Sequence, residues 1–321
     1  MIGKLPAAVL RESILSKTGA SDERVQLGPR YGEDAAAIDI GPTTLVVSTD
    51  PLSLASEAVG TLGVHVACND VAASGGTPAW LTNCLFLPQD DPDQLETIVE
   101  DIHRTAASID VAIVGGHSEY APDLTRPLLV LTAFGTTDRF IPTGGGQPGD
   151  RILLTRAAGI EGTAILASEF RSALIDHVDE EALERAGEFL SEIDVIPAAK
   201  ALQSVATGLH DPTEGGVLTG LYEMAEATDR TFVVDREAIP IRSLTTRLCD
   251  VMEVDPLAIF GSGALLATVP AHSAEEAVEA VEATGTSATI IGRVEDGREG
   301  LVLDGQAVTT PPEDELYRFW Q

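Results

Sequence analysis

Four short acidic loops carry the residues of this sequence that could do chemistry. Each loop places Asp or Glu beside small residues or glycines: Gly32-Glu33-Asp34, Ser48-Thr49-Asp50, Asn69-Asp70 and His210-Asp211-Pro212-Thr213-Glu214-Gly215-Gly216. Carboxylate oxygens are the hard ligands that Mg²⁺ prefers, and backbone N–H groups at glycines can approach phosphate oxygens closely. The four loops together therefore predict a site for a magnesium-bound nucleotide.

Three of the four loops also have a simpler explanation when they are taken alone. Gly32-Glu33-Asp34 fits an acidic turn before a strand, and Asp50 fits a common strand-end aspartate. Asp211 fits a cap for the helix that follows it. The coincidence of four such loops favours a divalent-ion site over these separate explanations.

Asp70 gives the strongest argument from a single residue. Apolar residues at Val59, Leu62 and Val66 mark one face of a helix predicted over residues 56–73. Four residues after Val66, Asp70 falls on the same inward face. Burying an unpaired carboxylate costs several kcal/mol, so we expect a hydrogen-bonding network or a cation beside it.

The order of predicted elements indicates two α/β or α+β domains. Strands are predicted at 45–49, 80–87, 111–114, 128–134, 152–154, 232–234, 264–269 and 289–291, and helices at 6–17, 56–73, 95–109, 161–170 and 275–283, with two more helices before 206 and one after 216. A chain of 321 residues exceeds the usual size of a single core. Three consecutive glycines at the start of the segment 144–150 predict a flexible connector, so we expect domains over 1–143 and 144–321.

The charge balance excludes some partners. The chain has 51 acidic and 20 basic residues, a net charge of −31, which would repel nucleic acid and anionic lipid. An acidic surface of this kind suits a high-salt cytoplasm, as in salt-adapted archaea, because concentrated salt screens the self-repulsion. No long apolar run and no leader is present, so we expect a cytoplasmic protein that neither spans a membrane nor is secreted.

Several common site classes find no support. Cys68, Cys84 and Cys249 lack the spacing of a disulfide framework or a structural zinc site. The P-loop pattern is absent, and so is the serine-hydrolase elbow. The stretch Gly115-Gly116-His117-Ser118-Glu119 is ambiguous, since it fits a tight turn or a nucleotide contact.

Seven motifs, in this order along nearly the whole chain, resemble the aminoimidazole ribotide (AIR) synthetase superfamily. They are Gly32-Glu33-Asp34-Ala35-Ala36, Ser48-Thr49-Asp50-Pro51, the stretch 69–78, Gly115-Gly116-His117-Ser118-Glu119, Pro148-Gly149-Asp150, Gly159-Ile160-Glu161-Gly162-Thr163 and the stretch 210–216. This PurM-like superfamily includes thiamine-monophosphate kinase, selenide water dikinase and the hydrogenase-maturation carbamoyl dehydratase. The last two motifs are most similar to the hydrogenase-maturation (HypE-like) branch, especially its archaeal members.

The resemblance implies a two-domain α/β subunit that binds ATP and Mg²⁺ and acts by phosphoryl transfer. It also implies a homodimer in which the N-terminal domains pair their sheets. By matching position, it implies metal ligands at Glu33, Asp34, Asp50, Asp70 and Asp211. It implies nucleotide contacts at Gly32, Asp34, Asn69, Asp70, Gly115, Gly116, His117, Thr213, Gly215 and Gly216.

Two departures from the superfamily pattern bear on function. Most members have Asp or Glu where this chain has His117, with Glu119 as the nearest substitute. The carbamoyl dehydratase carries its substrate on a C-terminal cysteine, whereas this chain ends Glu315-Leu316-Tyr317-Arg318-Phe319-Trp320-Gln321. We therefore expect an ATP- and Mg²⁺-dependent enzyme with an undetermined small acceptor. The alternatives are a thiamine-monophosphate kinase, an AIR synthetase, or a nucleotide-binding assembly protein without turnover.

Overall fold

Two mixed β-sheets, one from each half of the chain, form the framework of the molecule. The computed structural model describes residues 3–53 and 58–320. The strands are β1 Val25–Leu27, β2 Ala36–Asp39, β3 Thr44–Leu52, β4 Thr77–Leu87, β5 Ala112–Tyr120, β6 Leu128–Thr137, β7 Arg151–Thr155, β8 Gly208–His210, β9 Thr231–Val234, β10 Leu266–Val269, β11 Ala288–Glu295, β12 Leu301–Leu303 and β13 Gln306–Ala307. The first sheet has the order β1-β2-β3-β6-β4-β5, and the second has the order β13-β12-β9-β11-β7-β10-β8.

Helices cover both sheets. They are α1 Ala7–Val9, α2 Val59–Ala73, α3 Pro92–Ser108, α4 Ile160–Glu169, α5 Arg171–Leu174, α6 Glu180–Gly187, α7 Ile196–Leu202, α8 Gly216–Thr228, α9 Ser243–Met252 and α10 Ala274–Glu282. Among the described residues, none of these helices is long and apolar enough to cross a membrane.

The first sheet buries one face under α2 and α3. In β6, partly buried and fully buried residues alternate, which is the period of a strand with one covered face. Val64 of α2, Leu81 of β4 and Leu131 of β6 are fully buried in this core. The neighbouring strands are antiparallel except β4 and β5, which pair in parallel at the edge of the sheet.

Helix α2 is buried on nearly all sides because both halves of the chain pack against it. Ala72 and Ala73 at its end share a core with Leu153 of β7 and Leu202 of α7. Asn69 is fully buried; its amide donates to the Ile193 carbonyl at 2.8 Å and accepts from the Val195 N–H at 3.1 Å. Helix α2, which is largely apolar and whose Asn69 amide is fully hydrogen-bonded, therefore joins the two halves.

The second sheet is packed by helices on both faces. Val217 and Leu221 of α8 pack with Phe232 of β9, and α7 and α10 cover the opposite side. A separate cluster joins α4, α6 and α9 to the C-terminal segment through Leu316. This cluster packs the C-terminal segment against the second half of α4, at Leu166 and Ala167.

The predicted α/β class with two domains is confirmed, and most long elements lie near their predicted places. Strand β5 is an exception, because it contains Gly115 and Gly116, so the predicted alternative of a tight turn is wrong. The two glycines belong to a bulged edge strand, in which a Cβ on Gly116 would lie 2.3 Å from the Asn83 carbonyl oxygen of β4. The predicted helix start at residues 56–57 lies outside the described residues.

The glycine-rich segment before β7 is packed, so the prediction of a flexible connector is wrong. A Cβ on Gly144 would lie 2.6 Å from the Ala227 carbonyl oxygen, and one on Gly145 would lie 1.8 Å from the Thr207 carbonyl oxygen. The glycines are needed for close approach of backbones, and this approach brings the segment against β8 and α8.

Replacing Asn69 by Ala should destabilise the molecule by about 2–4 kcal/mol, because the Ile193 carbonyl and the Val195 N–H would lose their buried partner. Chemical denaturation at constant high salt measures the effect. Asn83→Ala is the matched control, since Asn83 is only partly buried in β4, and its change should stay below about 1 kcal/mol. Equal losses in the two variants would contradict the joining role of Asn69.

Candidate functional site

Three aspartates meet in the space between the two halves of the chain. One carboxylate oxygen each from Asp34, Asp70 and Asp211 lies within 4.8 Å of the others. Asp34 lies in the loop before β2, Asp70 in the last turn of α2, and Asp211 directly after β8. Asp70 is 8% and Asp211 is 2% exposed. We call these three residues the aspartate trio.

A serine hydroxyl connects the trio to a fourth predicted residue. Ser48 Oγ lies 2.6 Å from Asp70 Oδ2 and 3.0 Å from Asp50 Oδ2, so it can donate to either carboxylate. Both Ser48 and Asp50 belong to β3, which passes beside the end of α2. The Ser48 hydroxyl therefore bridges Asp50 and the trio.

His210 fixes the orientation of Asp34. Its Nδ1 lies 2.6 Å from Asp34 Oδ1, and its Nε2 lies 3.2 Å from Glu223 Oε2 of α8. Burial alone would lower the pKa of His210, but the two carboxylates outweigh it and raise the pKa well above its ordinary value. The charged imidazolium then donates from both nitrogens and leaves Asp34 Oδ2 directed elsewhere.

The trio has more buried acceptor atoms than donors. Asp34 Oδ2 and both carboxylate oxygens of Asp211 are buried without a hydrogen-bond partner among the described residues. Burial raises the pKa of Asp70 and of Asp211 well above the ordinary value, and repulsion between the neighbouring carboxylates adds to the rise. A divalent cation held by these oxygens would satisfy them, and an all-oxygen donor set suits Mg²⁺.

Glu33 and Asn69 do not enter the trio, although the sequence predicts both in the site. Glu33 Oε2 accepts a hydrogen bond from the Thr143 N–H at 3.0 Å, which ties the loop to the segment before β7. Both polar atoms of Asn69 are bonded to the backbone at Ile193 and Val195. Backbone groups thus already bond one carboxylate oxygen of Glu33 and both polar atoms of Asn69. Their predicted contacts with metal and nucleotide remain predictions.

The paired glycines lie apart from the cavity that contains the trio. Gly115, Gly116 and His117 are exposed in β5 at the far edge of the first sheet and do not line this cavity. His117 Nε2 lies 3.0 Å from Glu119 Oε2 on the same strand. Within this chain, the predicted nucleotide contacts at Gly115, Gly116 and His117 therefore lie away from the trio.

The second-domain loop reaches the cavity at the start of α8. Gly215 has φ +74° and Gly216 has φ +60°, a backbone conformation that other residues rarely adopt. The Gly215 N–H donates to Asp314 Oδ2 at 2.7 Å, so a carboxylate from the C-terminal segment already caps this helix. Burial raises the pKa of Asp314 to about 7. Thr213 lines the cavity before this turn.

Gly32 closes the first acidic loop against α8. It has φ +78°, and a Cβ there would lie 3.1 Å from the Cβ of Glu223. A larger residue would therefore displace either this loop or the partner of His210.

Sequence reasoning missed several groups of the site. Lys4 Nζ lies 3.1 Å from Glu214 Oε2, with its side chain half exposed. The sequence motifs include His210 and Ser48 without indicating their roles, and no motif includes Glu223 on α8. The spacing of seven residues between Gly216 and Glu223, two helical turns, could have placed Glu223 near the loop. Nothing in the sequence signals the position of Lys4.

One cavity of about 1200 Å³ contains the trio and extends to both chain ends. Its walls come from the loops at Gly32 and Thr213, from β3, from α4 and from the segment 310–320. This volume exceeds that of a typical single-ligand pocket, so it can hold a nucleotide together with a second small molecule.

Two family models match the chain. The AIR synthase related protein N-terminal domain matches residues 32–137, and the C-terminal domain of the same family matches residues 147–304. The chain belongs to the AIR synthase-related family. This confirms the resemblance that the seven motifs indicate, and both matched regions contribute to the aspartate trio.

Curated relatives of this AIR synthase-related chain come from two branches. A putative hydrogenase expression/formation protein of Methanocaldococcus jannaschii is 27% identical over 94% of this chain and 91% of its own. Carbamoyl dehydratase HypE of Azotobacter vinelandii is 30% identical over 81% and 78%. Thiamine-monophosphate kinase of Halobacterium salinarum is 27% identical over 87% and 92%.

Solved structures of both branches share the fold. A HypE–HypF complex matches with a TM-score of 0.79 at 21% identity over 95% of this chain and 100% of that chain. The AaThiL complex with AMPPCP and TMP gives 0.74 at 24% over 88% and 91%. Hydrogenase maturation protein HypE in complex with ATP gives 0.68 at 22% over 95% and 93%.

Replacing Asp211 by Asn should stabilise this family member when no divalent cation is present. A carboxyl group whose pKa is raised in the folded state binds its proton more tightly there than in the unfolded chain. Its contribution to stability therefore falls as pH rises from about 4 toward the raised pKa. The amide escapes this loss, so at neutral pH with EDTA and constant high KCl the Tm should rise by a few °C, roughly 2–4 °C per kcal/mol.

The control for this variant is Asp123→Asn, the same chemical change at an exposed position. Added Mg²⁺ should raise the Tm of the wild type and of the control more than that of the Asp211 variant. A lower Tm for Asp211→Asn in EDTA, or an undiminished response to Mg²⁺, would contradict a cation site at the trio.

Proposed function

We propose that this protein binds ATP with Mg²⁺ in the cavity between its halves and activates a small acceptor by phosphoryl transfer. The observation that carries the proposal is the aspartate trio, with three buried carboxylate oxygens that have no partner among the described residues. The AIR synthase-related family and the nucleotide-bound structures of similar fold support it.

The donor groups of the chain are arranged for this role. Asp34, Asp70 and Asp211 would hold Mg²⁺, with Asp50 behind them through Ser48. When bound, the ion would neutralise the charge that gathers on the phosphates of the nucleotide. Lys4 lies on the same side of the cavity and adds a cation beside Thr213, at 3.5 Å from its hydroxyl oxygen.

The remaining groups hold the site in place. His210 keeps Asp34 in one orientation through a 2.6 Å contact, and Ser48 keeps Asp70 in place. The burial of the trio would strengthen each electrostatic interaction there. Most of the chemistry would then consist of positioning, which is the general case for phosphoryl transfer.

Replacing Asp70 by Asn should weaken Mg²⁺-dependent binding of the ATP analogue AMPPCP by at least about tenfold, because a carboxylate ligand is lost from the trio. Isothermal titration calorimetry with and without Mg²⁺ measures this, and Asp123→Asn is the surface control. Release of ADP in the presence of candidate acceptors then separates an enzyme from a nucleotide-binding assembly protein. An unchanged affinity in Asp70→Asn would reject the assigned role.

We also propose that the protein is a homodimer that pairs through β5. All nine residues of this edge strand are exposed, although the strand is long and carries apolar side chains. Ile113 is 42%, Val114 57% and Tyr120 56% exposed. A long, exposed and partly apolar edge strand is a template for pairing with another chain. The resemblance to a superfamily whose sheets pair across a dimer agrees with this proposal.

Replacing Val114 by Lys should turn the dimer into a monomer, because a charge on the edge strand opposes pairing. Light scattering coupled to size-exclusion chromatography in high salt measures the mass. Val99→Lys on α3 is the matched control, since Val99 is 50% exposed and lies outside the edge strand. A wild type that is monomeric, or a variant that stays dimeric, would contradict pairing through β5.

Salt adaptation and a cytoplasmic location remain predictions from composition.

A further inference from the structure

The motif Gly159-Ile160-Glu161-Gly162-Thr163 borders the same cavity as the trio and has no role in nucleotide binding as proposed above. It forms the start of α4, and Glu161 lines the same cavity as the aspartates. The Gly162 N–H donates to the Phe260 carbonyl oxygen at 2.8 Å. A Cβ on Gly162 would lie 2.7 Å from the side chain of Ile259, so the glycine allows this close contact.

Two buried polar groups, Glu161 of this motif and Ser262, line the cavity. Glu161 is 5% exposed and Ser262 is 1% exposed, and both line the cavity wall. Burial raises the pKa of Glu161 to about 7, which the neighbouring donors of Ser262 only partly oppose. Ser262 Oγ is buried and makes no hydrogen bond of good geometry with the described residues. The Ser262 hydroxyl therefore lies beside Glu161 without a well-formed hydrogen bond, and a polar group of a ligand would give it one.

Aromatic side chains form the adjoining wall. The ring of Phe260 lies edge-on to Tyr317, with centroids 6.0 Å apart, and to Trp320, with centroids 6.2 Å apart. All three rings line the cavity. Flat apolar faces next to two polar groups suit a small planar molecule that also forms hydrogen bonds.

The charge of this region selects against anions. Glu214 and Asp314 lie close enough to Glu161 to interact electrostatically with it. Lys4, one of the cations of the cavity lining, is already paired with Glu214. A phosphate or carboxylate group on a ligand here would therefore meet repulsion, whereas a neutral or cationic donor would be attracted.

We propose that Glu161, Ser262 and the aromatic wall of Phe260, Tyr317 and Trp320 form the acceptor subsite, and that it takes a small planar acceptor, neutral or cationic, with an N–H or O–H donor and no phosphate group. The inference rests on the proposed function, since it names the molecule that would share the cavity with ATP. It sets this chain apart from enzymes whose acceptor is a phosphate ester, such as thiamine monophosphate.

Three probes of the same shape test the charge preference. Benzamidine is cationic, benzamide is neutral and benzoate is anionic, and ligand-observed NMR titration gives the Kd of each. The titrations are done on the full chain in EDTA without nucleotide, so they do not depend on ATP binding. We expect benzamidine and benzamide to bind at least about tenfold more tightly than benzoate. Equal or tighter binding of benzoate would overturn the proposal.

Variants assign the preference to named groups. Glu161→Gln should reduce the benzamidine affinity by about tenfold and leave benzamide nearly unchanged, because the amide keeps a hydrogen-bond acceptor but loses the charge. Ser262→Ala should weaken the binding of benzamide more than that of benzamidine, because the benzamide carbonyl accepts a hydrogen bond from the Ser262 hydroxyl. Glu276→Gln, an exposed position on α10, is the matched control and should change neither Kd.

The outcomes separate this inference from the proposed function. If the probes bind as expected but AMPPCP does not bind with Mg²⁺, the proposed function fails and the subsite stands as a binding site. If AMPPCP binds but Glu161→Gln keeps the wild-type preference among the probes, the subsite is wrong. Thermal unfolding checks that each variant is folded; should Glu161→Gln not fold, the probe series and Ser262→Ala decide.

Discussion

The mutual repulsion of Asp34, Asp70 and Asp211 is the constraint on which the structure around the cavity depends. Three carboxylates approach within 4.8 Å in a buried space, where the fields of like charges are poorly screened. The chain offers few donors to them, chiefly the Ser48 hydroxyl and the His210 ring. An arrangement of this kind is unfavourable for a protein alone and becomes favourable with a bound cation.

The surrounding elements hold the carboxylates in place against this repulsion. Asp70 is carried by α2, whose sides are buried in the cores of both halves, and it cannot move without disturbing them. Asp211 follows β8 and precedes the glycine turn that starts α8. Asp34 is held through His210 by Glu223 on that same helix. The rigidity of the site thus comes from packing in the two cores, while its chemistry comes from loops at their boundary.

Much of the fold could be predicted from the sequence because its long elements have clear periodicity. The short elements could not, since three or four residues such as β1 Val25–Leu27 or β8 Gly208–His210 show no period, and pairing with neighbours decides their conformation. The hairpin of β12 and β13 was recognisable in principle from its Asp304-Gly305 turn, where both residues have positive φ. The glycines at 144–146 show the opposite error, because composition indicates flexibility where close packing explains the residues.

The functional site likewise contains residues that local sequence patterns could place and residues that they could not. Asp70 could be placed inward from helical spacing, and Asp34 and Asp211 from their acidic loops, because local pattern determines these positions. Glu33 and Asn69 sit in the same motifs, yet they bond to distant backbone at Thr143 and Ile193. Contacts between residues more than a hundred positions apart leave no signal in a single sequence. Glu161, Ser262 and Trp320 meet for the same reason only in three dimensions.

The placement of α2 between the two sheets has a consequence for how the molecule can be divided. Ala72, Ala73 and Ile141 lie in one core with Leu153 and Leu202 from the second half. A fragment cut before β7 would expose those apolar surfaces to water and would lose the bonds of Asn69 to Ile193 and Val195. We therefore expect that the two halves of this chain do not fold independently, and that neither half expressed alone remains monodisperse.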